Sequence, residues 1–461
     1  MSEQTSLAAR IPTRSMGLKL LLVCALALLM SIPALFVFAL LADRTHRAEQ
    51  VTREVGQLMG GPQTFLGPVI AVPYQTPART AGQAPEPGVY IVFPVRAEAS
   101  ADAKSEVRKR SLFRVPVYTA DLEFKAAFDL TGVPAHLPAG AVLDWSRSEF
   151  LIGASDPRGA QSDITLAAGG KSYQLAPAST LAEMSVAAGD DAPRVPGPPD
   201  SLQFFGVSAG VLAQPGARFD TTAHLRFTGA QRLAVLPYGK TSALQVRSTW
   251  PNPSFDGGFL PGKREVSNRG FSASWNVPFI ARGVPAEGSR DVLARLGPAA
   301  LGVSFVEPAD PYQSVARSLK YALMFVGLVF LAYFLFETMT AKRVHPAQYV
   351  LIGLAQVIFY LLLLSIGEQL GFDWAFLIAA GATVSLISAY AGWVFESRRQ
   401  GLIALGAFTL LYALIYVLMR LEDFALLVGA VASFAAIAAV MYFTRRLDWY
   451  GVTGQAAKDS T

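Results

Sequence analysis

The chain has 461 residues, with 39 Lys+Arg against 34 Asp+Glu for a formal net charge of +5, and it is 52% hydrophobic but only 16% charged. Soluble domains run near ~25% charged, so this composition excludes a disordered chain and argues against a purely soluble enzyme. The 39 Gly and 29 Pro are equally out of place in a chain that is membrane helix throughout, so two unlike parts are expected.

The first element is an apolar stretch at 18–42, preceded by Arg10 and Arg14 and with Lys19 at its start. It is longer than the ~7–15 residues of a signal-peptide core, so it reads as an uncleaved transmembrane anchor, with Pro33 as a site of kinking. Residues 43–60 read as a helical stalk. From there to residue 317 the chain is built of short alternating runs. Val89-Tyr-Ile-Val-Phe-Pro-Val95, Leu122-Glu-Phe-Lys125, His224-Leu-Arg-Phe-Thr228, Leu233-Ala-Val-Leu236, Ala243-Leu-Gln-Val-Arg247 and Phe271-Ser-Ala-Ser-Trp275 read as strands. Ile164-Thr-Leu-Ala167 and Ser172-Tyr-Gln-Leu175 flank Gly169-Gly170 as a hairpin. The segment 43–317 is therefore expected to be an all-β, sandwich-like domain. Pro-rich loops are expected at 76–88 and 189–200, the second dividing two subdomains if there are two.

A second apolar block follows and splits at 318–339, 348–366, 374–394, 402–419 and 424–443. Each matches the ~20 residues that cross a bilayer as helix. The expected architecture is thus six transmembrane helices, one N-terminal anchor and a five-helix C-terminal bundle, plus the β domain. Lys342, Arg343, Arg398, Arg399, Arg445 and Arg446 fall in every second loop, all on the same side as Arg10 and Arg14. By the positive-inside rule both termini are cytoplasmic and the β domain is periplasmic. The expected segments are a cytoplasmic N-terminus (1–17), the anchor (18–42), the periplasmic domain (43–317), the bundle (318–447) and a cytoplasmic tail (448–461). The charge of +5 then reflects topology and calls for no nucleic acid; the lipid bilayer is the first expected partner.

The sequence offers little chemistry. No two of the four His have metal-ligand spacing, and the single cysteine, Cys24, lies in the anchor. Neither a metal nor another cofactor is expected. There is no Gly-x-Ser-x-Gly elbow and no phosphate-binding loop. One segment stands out: Trp250-Pro-Asn-Pro-Ser-Phe-Asp-Gly-Gly-Phe-Leu-Pro261 with Phe271 and Trp275. Trp250, Phe255, Phe259, Phe271 and Trp275 form either an ordered loop pinned by buried aromatics, the reading preferred here, or an aromatic ligand groove. In the third apolar stretch His345, Tyr349, Gly353, Gln356 and Tyr360 share one helix face, which should point into the bundle. Packing is the preferred reading and a polar transport path the alternative. Lys320, Glu337, Glu368, Asp373, Glu422 and Asp423 sit near helix ends, Glu337 deepest, where it pairs with a cation at the inner interface.

His345-Pro-Ala-Gln-Tyr-Val-Leu-Ile-Gly-Leu-Ala355, Phe359-Tyr-Leu-Leu-Leu-Leu-Ser365 with Glu368, Arg317-Ser-Leu-Lys-Tyr321, Phe336-Glu337, Glu422-Asp-Phe-Ala-Leu-Leu427 and Thr444-Arg-Arg-Leu-Asp-Trp-Tyr450 resemble the CreD family of bacterial inner-membrane proteins. So do Gly67-Pro68, Pro73-Tyr74, Val115-Pro-Val-Tyr118, Ser155-Asp-Pro-Arg-Gly159, Trp250-Pro-Asn-Pro-Ser-Phe255 and Phe259-Leu-Pro261. The resemblance runs from about residue 60 to 450, in order. Gln356 and Gly367 depart from it, standing where Leu-like and Ser-like residues are expected. The resemblance implies an envelope-integrity protein of the Cre two-component regulon, linked to envelope stress and colicin tolerance. It implies no catalytic residue. The reading adopted is a non-enzymatic protein that binds an envelope component or protein partner through its β domain, with a transporter or exporter as the alternative.

Overall fold

A computed structural model describes residues 16–77, 86–181, 183–185, 201–307, 311–340, 344–420 and 425–445. The chain divides into two compact units, a helical one (Met1–Arg47 with Ala309–Thr461) and a mostly β one (Ala48–Pro308).

The helical unit begins with α1 (Met16–Leu29) and α2 (Ser31–Leu58). The interruption at Met30 follows from Pro33, which has no N–H to give the Leu29 carbonyl; the ladder resumes when the Ala34 amide donates to Met30 at 3.3 Å. The stalk expected at 43–60 is the continuation of α2, helical as far as Leu58. Next come α3 (Pro311–Lys320) and α4 (Ala322–Thr340). The expected single stretch at 318–339 is corrected here: α3 and α4 meet at a 54° bend. The cause is composition. α3 is amphipathic, burying Tyr312, Val315 and Ser318 and exposing Gln313 and Lys320, while α4 is apolar along nearly all its length. A helix of the first kind lies along an interface and one of the second kind crosses it.

α5 (Pro346–Leu370), α6 (Phe372–Val394), α7 (Arg398–Arg420) and α8 (Ala425–Thr444) complete the unit. Pro346 opens α5 at its first position, where its missing N–H costs nothing. Gly371, at φ 81°, turns the chain from α5 into α6. Trp374 and Trp393 are 63% and 72% exposed near the two ends of α6. Their 19-residue separation spans ~28 Å of helix, close to the ~30 Å hydrocarbon thickness that interfacial aromatics bracket. Among the described residues, four helices are long and apolar enough to cross a membrane, or five if the bent α3–α4 pair is one crossing.

The β unit is built from β1 (Gln63–Thr76), β2 (Glu86–Val92), β3 (Arg96–Arg110), β4 (Phe113–Asp129), β5 (Val142–Leu143), β6 (Glu149–Ala154), β7 (Thr165–Ala168), β8 (Lys171–Gln174), β9 (Ala176–Pro177) and β10 (Glu183–Ser185). It continues with β11 (Ser201–Ser208), β12 (Arg218–Ala230), β13 (Arg232–Val235), β14 (Thr241–Ser248), β15 (Pro253–Gly257), β16 (Lys263–Ser267), β17 (Gly270–Val277), β18 (Glu287–Ser289) and β19 (Leu301–Phe305). One sheet runs β16-β17-β14-β3-β4-β12-β7-β8; the other runs β10-β11-β6-β1-β13-β19-β15, with β2, β5, β9 and β18 joined at its flanks. Apolar residues of both sheets form one continuous core. Alternation explains it: in β3 the inward Ala97, Ala99, Ala101 and Ala103 are buried and their neighbours exposed. The Gly169-Gly170 hairpin joins β7 to β8, both glycines at positive φ (57° and 77°) as the primed turn requires.

The two Pro-rich segments resolve differently from the expectation. Thr76 pairs with Glu86, so the ends of 76–88 are strand. β10 and β11 pair across the stretch 189–200, so its two flanks belong to one sheet and it divides no subdomains. Residues 78–85 and 189–200 themselves lie outside the described residues. Three tyrosines fill the places of missing side chains. Tyr74 lies on Gly88, Tyr118 on Gly229 and Tyr238 on Gly67, where any Cβ would sit within 2.6 Å of the ring or its hydroxyl. Covering a strand glycine with a cross-strand aromatic restores the contact area the glycine lacks. These contacts account for Pro73-Tyr74, Val115-Pro-Val-Tyr118 and Gly67-Pro68 as structural motifs.

Candidate functional site

The aromatic side chains of the segment 250–275 pack into or against the core. Trp250 is buried and its Nε1–H donates to the carbonyls of Asn252 (3.1 Å) and Val306 (3.0 Å). Trp275 is buried and its Nε1–H donates to Phe259 at 2.9 Å. Phe255 meets Phe271 and Trp275 edge-on, at 5.7 and 5.9 Å between centroids. Phe259 is half-buried against the same cluster. The structure thus brings all five residues together, with both indole donors satisfied from within the unit.

Next to them is a polar cluster that the sequence did not disclose. Arg232 Nε lies 2.8 Å from Asp256 Oδ1, and Ser304 Oγ donates to Asp256 Oδ2 at 2.6 Å. Asp256 belongs to the same Pro/Gly-rich segment, but its partners come from β13 and β19, and no local spacing encodes them. Ser155-Asp-Pro-Arg-Gly159 is a second such cluster. The fully buried Gln63 donates to the Gly60 and Asp156 carbonyls at 2.8 and 2.9 Å and accepts from Ser155 Oγ at 3.1 Å. Arg282 is the third. Its guanidinium donates to the Gly239, Val284 and Pro285 carbonyls and stacks 4.4 Å from the Phe93 ring centre. Among the described residues it has no carboxylate partner, and burial lowers its pKa to about 10.

In the helical unit α5 turns Tyr349, Gly353, Gln356 and Tyr360 into the interior. His345 does not join them. It is exposed and caps α5, its Nδ1 accepting from the Ala347 amide at 3.2 Å while Gln348 Oε1 accepts from the His345 amide at 3.0 Å. Tyr349 donates to Glu337 Oε2 at 3.0 Å. Glu337, 3% exposed, also accepts from the Val344 amide at 2.9 Å and forms an ion pair with Lys19 of α1. Lys19 in turn donates to the Val344 carbonyl at 3.0 Å. A cation does meet Glu337, and it comes from the first helix; Lys342 lies outside the described residues. Gly353 receives Met30, whose Cγ and Sδ lie 2.6 Å from where a Cβ would stand. Gln356 lies beside the Tyr412 hydroxyl, and Tyr360 packs on Phe359 at 5.0 Å.

A second charged site joins α2 to the bundle. Glu368 accepts from the Tyr312 hydroxyl at 3.0 Å, with Arg44 Nε 3.9 Å away. Lys19 and Arg44 are 25 residues apart, ~37 Å along a helix, so the N-terminal helix is tied at both ends. The expectation of an anchor beside a five-helix bundle is corrected on this point: the first helix is part of the bundle. The signal available in sequence was one cation near each end of the first apolar stretch and one acid, Glu337 or Glu368, at matching depth. Asp373 pairs with Arg420 and accepts from Tyr416 at 3.0 Å. Lys320 is exposed at the end of α3. Glu422 and Asp423 lie outside the described residues. Among the described residues no three His, Cys, Asp or Glu side chains gather in a way that could hold a metal ion.

An apolar-surfaced helical unit with charges confined to its ends, carrying a two-sheet β unit, defines a multi-pass membrane protein. The profile of the family described as "Inner membrane protein CreD" matches residues 15–450. A relative from Escherichia coli (strain K12), "Inner membrane protein CreD", is 30% identical over 431 residues, covering 92% of this chain and 91% of that protein. The chain belongs to the CreD family of inner-membrane proteins.

Proposed function

We propose that this protein maintains the integrity of the bacterial cell envelope without catalysing a reaction, its β unit binding an envelope component or protein partner in the periplasm. In this reading the chain crosses the inner membrane six times, through α1–α2, α3–α4, α5, α6, α7 and α8, with both termini in the cytoplasm. The observation that carries it is the use made of the reactive-looking groups. Glu337, the deepest membrane carboxylate, is taken up by Lys19, Tyr349 and a backbone amide, and both indole donors of the 250–275 segment are taken up by carbonyls. Such groups build a scaffold.

The test is complementation. A strain lacking the chain should leak a periplasmic reporter enzyme under envelope stress. A variant with the carboxylates Asp102, Asp121 and Glu123 neutralised should restore the barrier as well as the parent. Restoration lost together with a measured hydrolase activity of the purified protein on envelope polymers would overturn the proposal. Orientation is tested with single cysteines in a Cys24→Ala background: Thr222→Cys should react with an impermeant maleimide in intact spheroplasts, and Thr461→Cys only after lysis.

A second reading is transport, favoured by the inward face of Tyr349, Gln356 and Tyr360. It requires that Gln356→Leu and Tyr360→Phe abolish solute flux in proteoliposomes without unfolding the protein.

A further inference from the structure

The β3–β4 hairpin ends in a basic tip, Lys104-Ser-Glu-Val-Arg-Lys-Arg-Ser-Leu-Phe-Arg114. Lys104, Arg108, Lys109, Arg110 and Arg114 are all exposed. The strand register sets Lys109 directly opposite Arg114, where like charges repel. Glu106, Glu54 and Glu307 pair with Arg108, Arg110 and Arg114, but exposed pairs of this kind hold weakly and a phosphate can replace them. The turn itself is Ser111-Leu112, between the paired Arg110 and Phe113. Ser111 stands at φ 58°, a left-handed position that favours Gly, Asn or Asp. Leu112 is 45% exposed at the apex, and a turn meant only for water has no use for a leucine there.

The hairpin is fastened to the helix that carries the first apolar stretch. Val55 and Met59 pack on Val115, Val117 and Ala230, and Arg110 donates to Glu54 of α2 at 2.8 Å. α2 is one helix from Ser31 to Leu58, and its apolar stretch ends at residue 42. The 12 residues from 42 to 54 span ~18 Å of helix. Glu54 therefore stays within that distance of the hydrocarbon edge at any tilt of the helix. The headgroup layer takes up ~5–7 Å of it, and screened attraction reaches ~8 Å further. The long Lys and Arg side chains of the tip cover the remainder.

We propose that the tip of the β3–β4 hairpin docks on anionic phospholipid headgroups of the membrane the chain crosses. Lys109 and Arg114, set against each other by the register, gain a shared phosphate partner, and Leu112 enters between the headgroups. Cations around an apolar apex are the two parts of interfacial membrane binding, charge attraction and buried apolar area. The short tether favours a bilayer over a protein partner, because it holds the tip near lipid at all times. The inference rests on the membrane crossing of the N-terminal helix and not on the envelope-integrity reading, so a failed complementation leaves it standing.

The experiment attaches a neutral, environment-sensitive fluorophore at Leu112→Cys in a Cys24→Ala background, the label standing in for the leucine. The full chain is placed in nanodiscs of phosphatidylcholine, with or without phosphatidylglycerol. With phosphatidylglycerol the emission should move to the blue and quenching by acrylamide should fall several-fold, and high salt should reverse both. The same label at Val211→Cys, 90% exposed in the same unit, should not respond. Lys109→Ser combined with Arg114→Ser should abolish the response; both positions are exposed, so the fold is kept. Emission at Leu112→Cys that ignores phosphatidylglycerol overturns the proposal. So does a response that survives Lys109→Ser with Arg114→Ser, or one that inorganic phosphate reproduces in phosphatidylcholine alone.

Discussion

Tyr238 and Tyr333 are both buried to within a few per cent, and the two units treat them differently. In the β unit the Tyr238 hydroxyl donates toward two strand carbonyls, at 2.8 and 2.9 Å. In the helical unit the Tyr333 hydroxyl meets no hydrogen-bond partner among the described residues. The contrast follows from where backbone is available. The Glu98 and Lys125 carbonyls face each other on the paired strands β3 and β4 and each keeps a lone pair for the Tyr238 hydroxyl, whereas helices enclose their carbonyls within their own ladder. A β core can therefore absorb Trp250, Trp275, Tyr118 and Tyr238 with their polar ends satisfied. A membrane bundle must pair polar side chains with one another, as Glu337 does with Lys19 and Tyr349.

That contrast can be broken at either end. Trp250→Ala should have the largest effect. It removes a buried indole and strands two carbonyl partners, at about 3–5 kcal/mol, seen as lost protease resistance of the β unit while the helical unit stays folded. Lys19→Ala comes next. It leaves Glu337 buried without its cation, a loss of about 3 kcal/mol. Combining Lys19→Met with Glu337→Gln should recover much of it, so a thermal-denaturation cycle in nanodiscs must be strongly non-additive. Gly353→Leu drives a side chain into Met30 and Phe330 and should cost about 1–3 kcal/mol; additional Met30→Ala should relieve part of it. His345→Ala removes only a helix cap and should cost about 1 kcal/mol. Were it as damaging as Lys19→Ala, His345 would have a role beyond capping.

The legible parts of the fold rest on local physics. Strand alternation, the Gly169-Gly170 hairpin, the break at Met30 three residues before Pro33 and the apolar lengths of α5, α6 and α7 all depend on neighbouring residues. The candidate site was legible to the same degree: Tyr349, Gln356 and Tyr360 face inward because helical spacing puts them on one face. What sequence could not disclose are meetings between distant segments. Lys19 with Glu337 spans 318 positions, and Asp256 meets Arg232 only because β15 and β13 both pair with β19. His345 was misgrouped because spacing alone does not separate a cap from the first buried turn. The bend between α3 and α4 carries no Pro or Gly; its cause is a change from amphipathic to apolar composition, which a search for apolar length passes over.

The central claim is that the N-terminal helix is a structural member of the bundle, seated on α5. Its most direct test uses Met30→Cys and Gly353→Cys in a Cys24→Ala background, with a protease site inserted between residues 196 and 197. After mild oxidation of membranes and cleavage, the two fragments should stay joined on non-reducing gels and separate on reduction, and Leu35→Cys, at an exposed position of α2, should not substitute for Met30→Cys. Fragments that separate without reductant, or that Leu35→Cys joins equally well, would contradict the account.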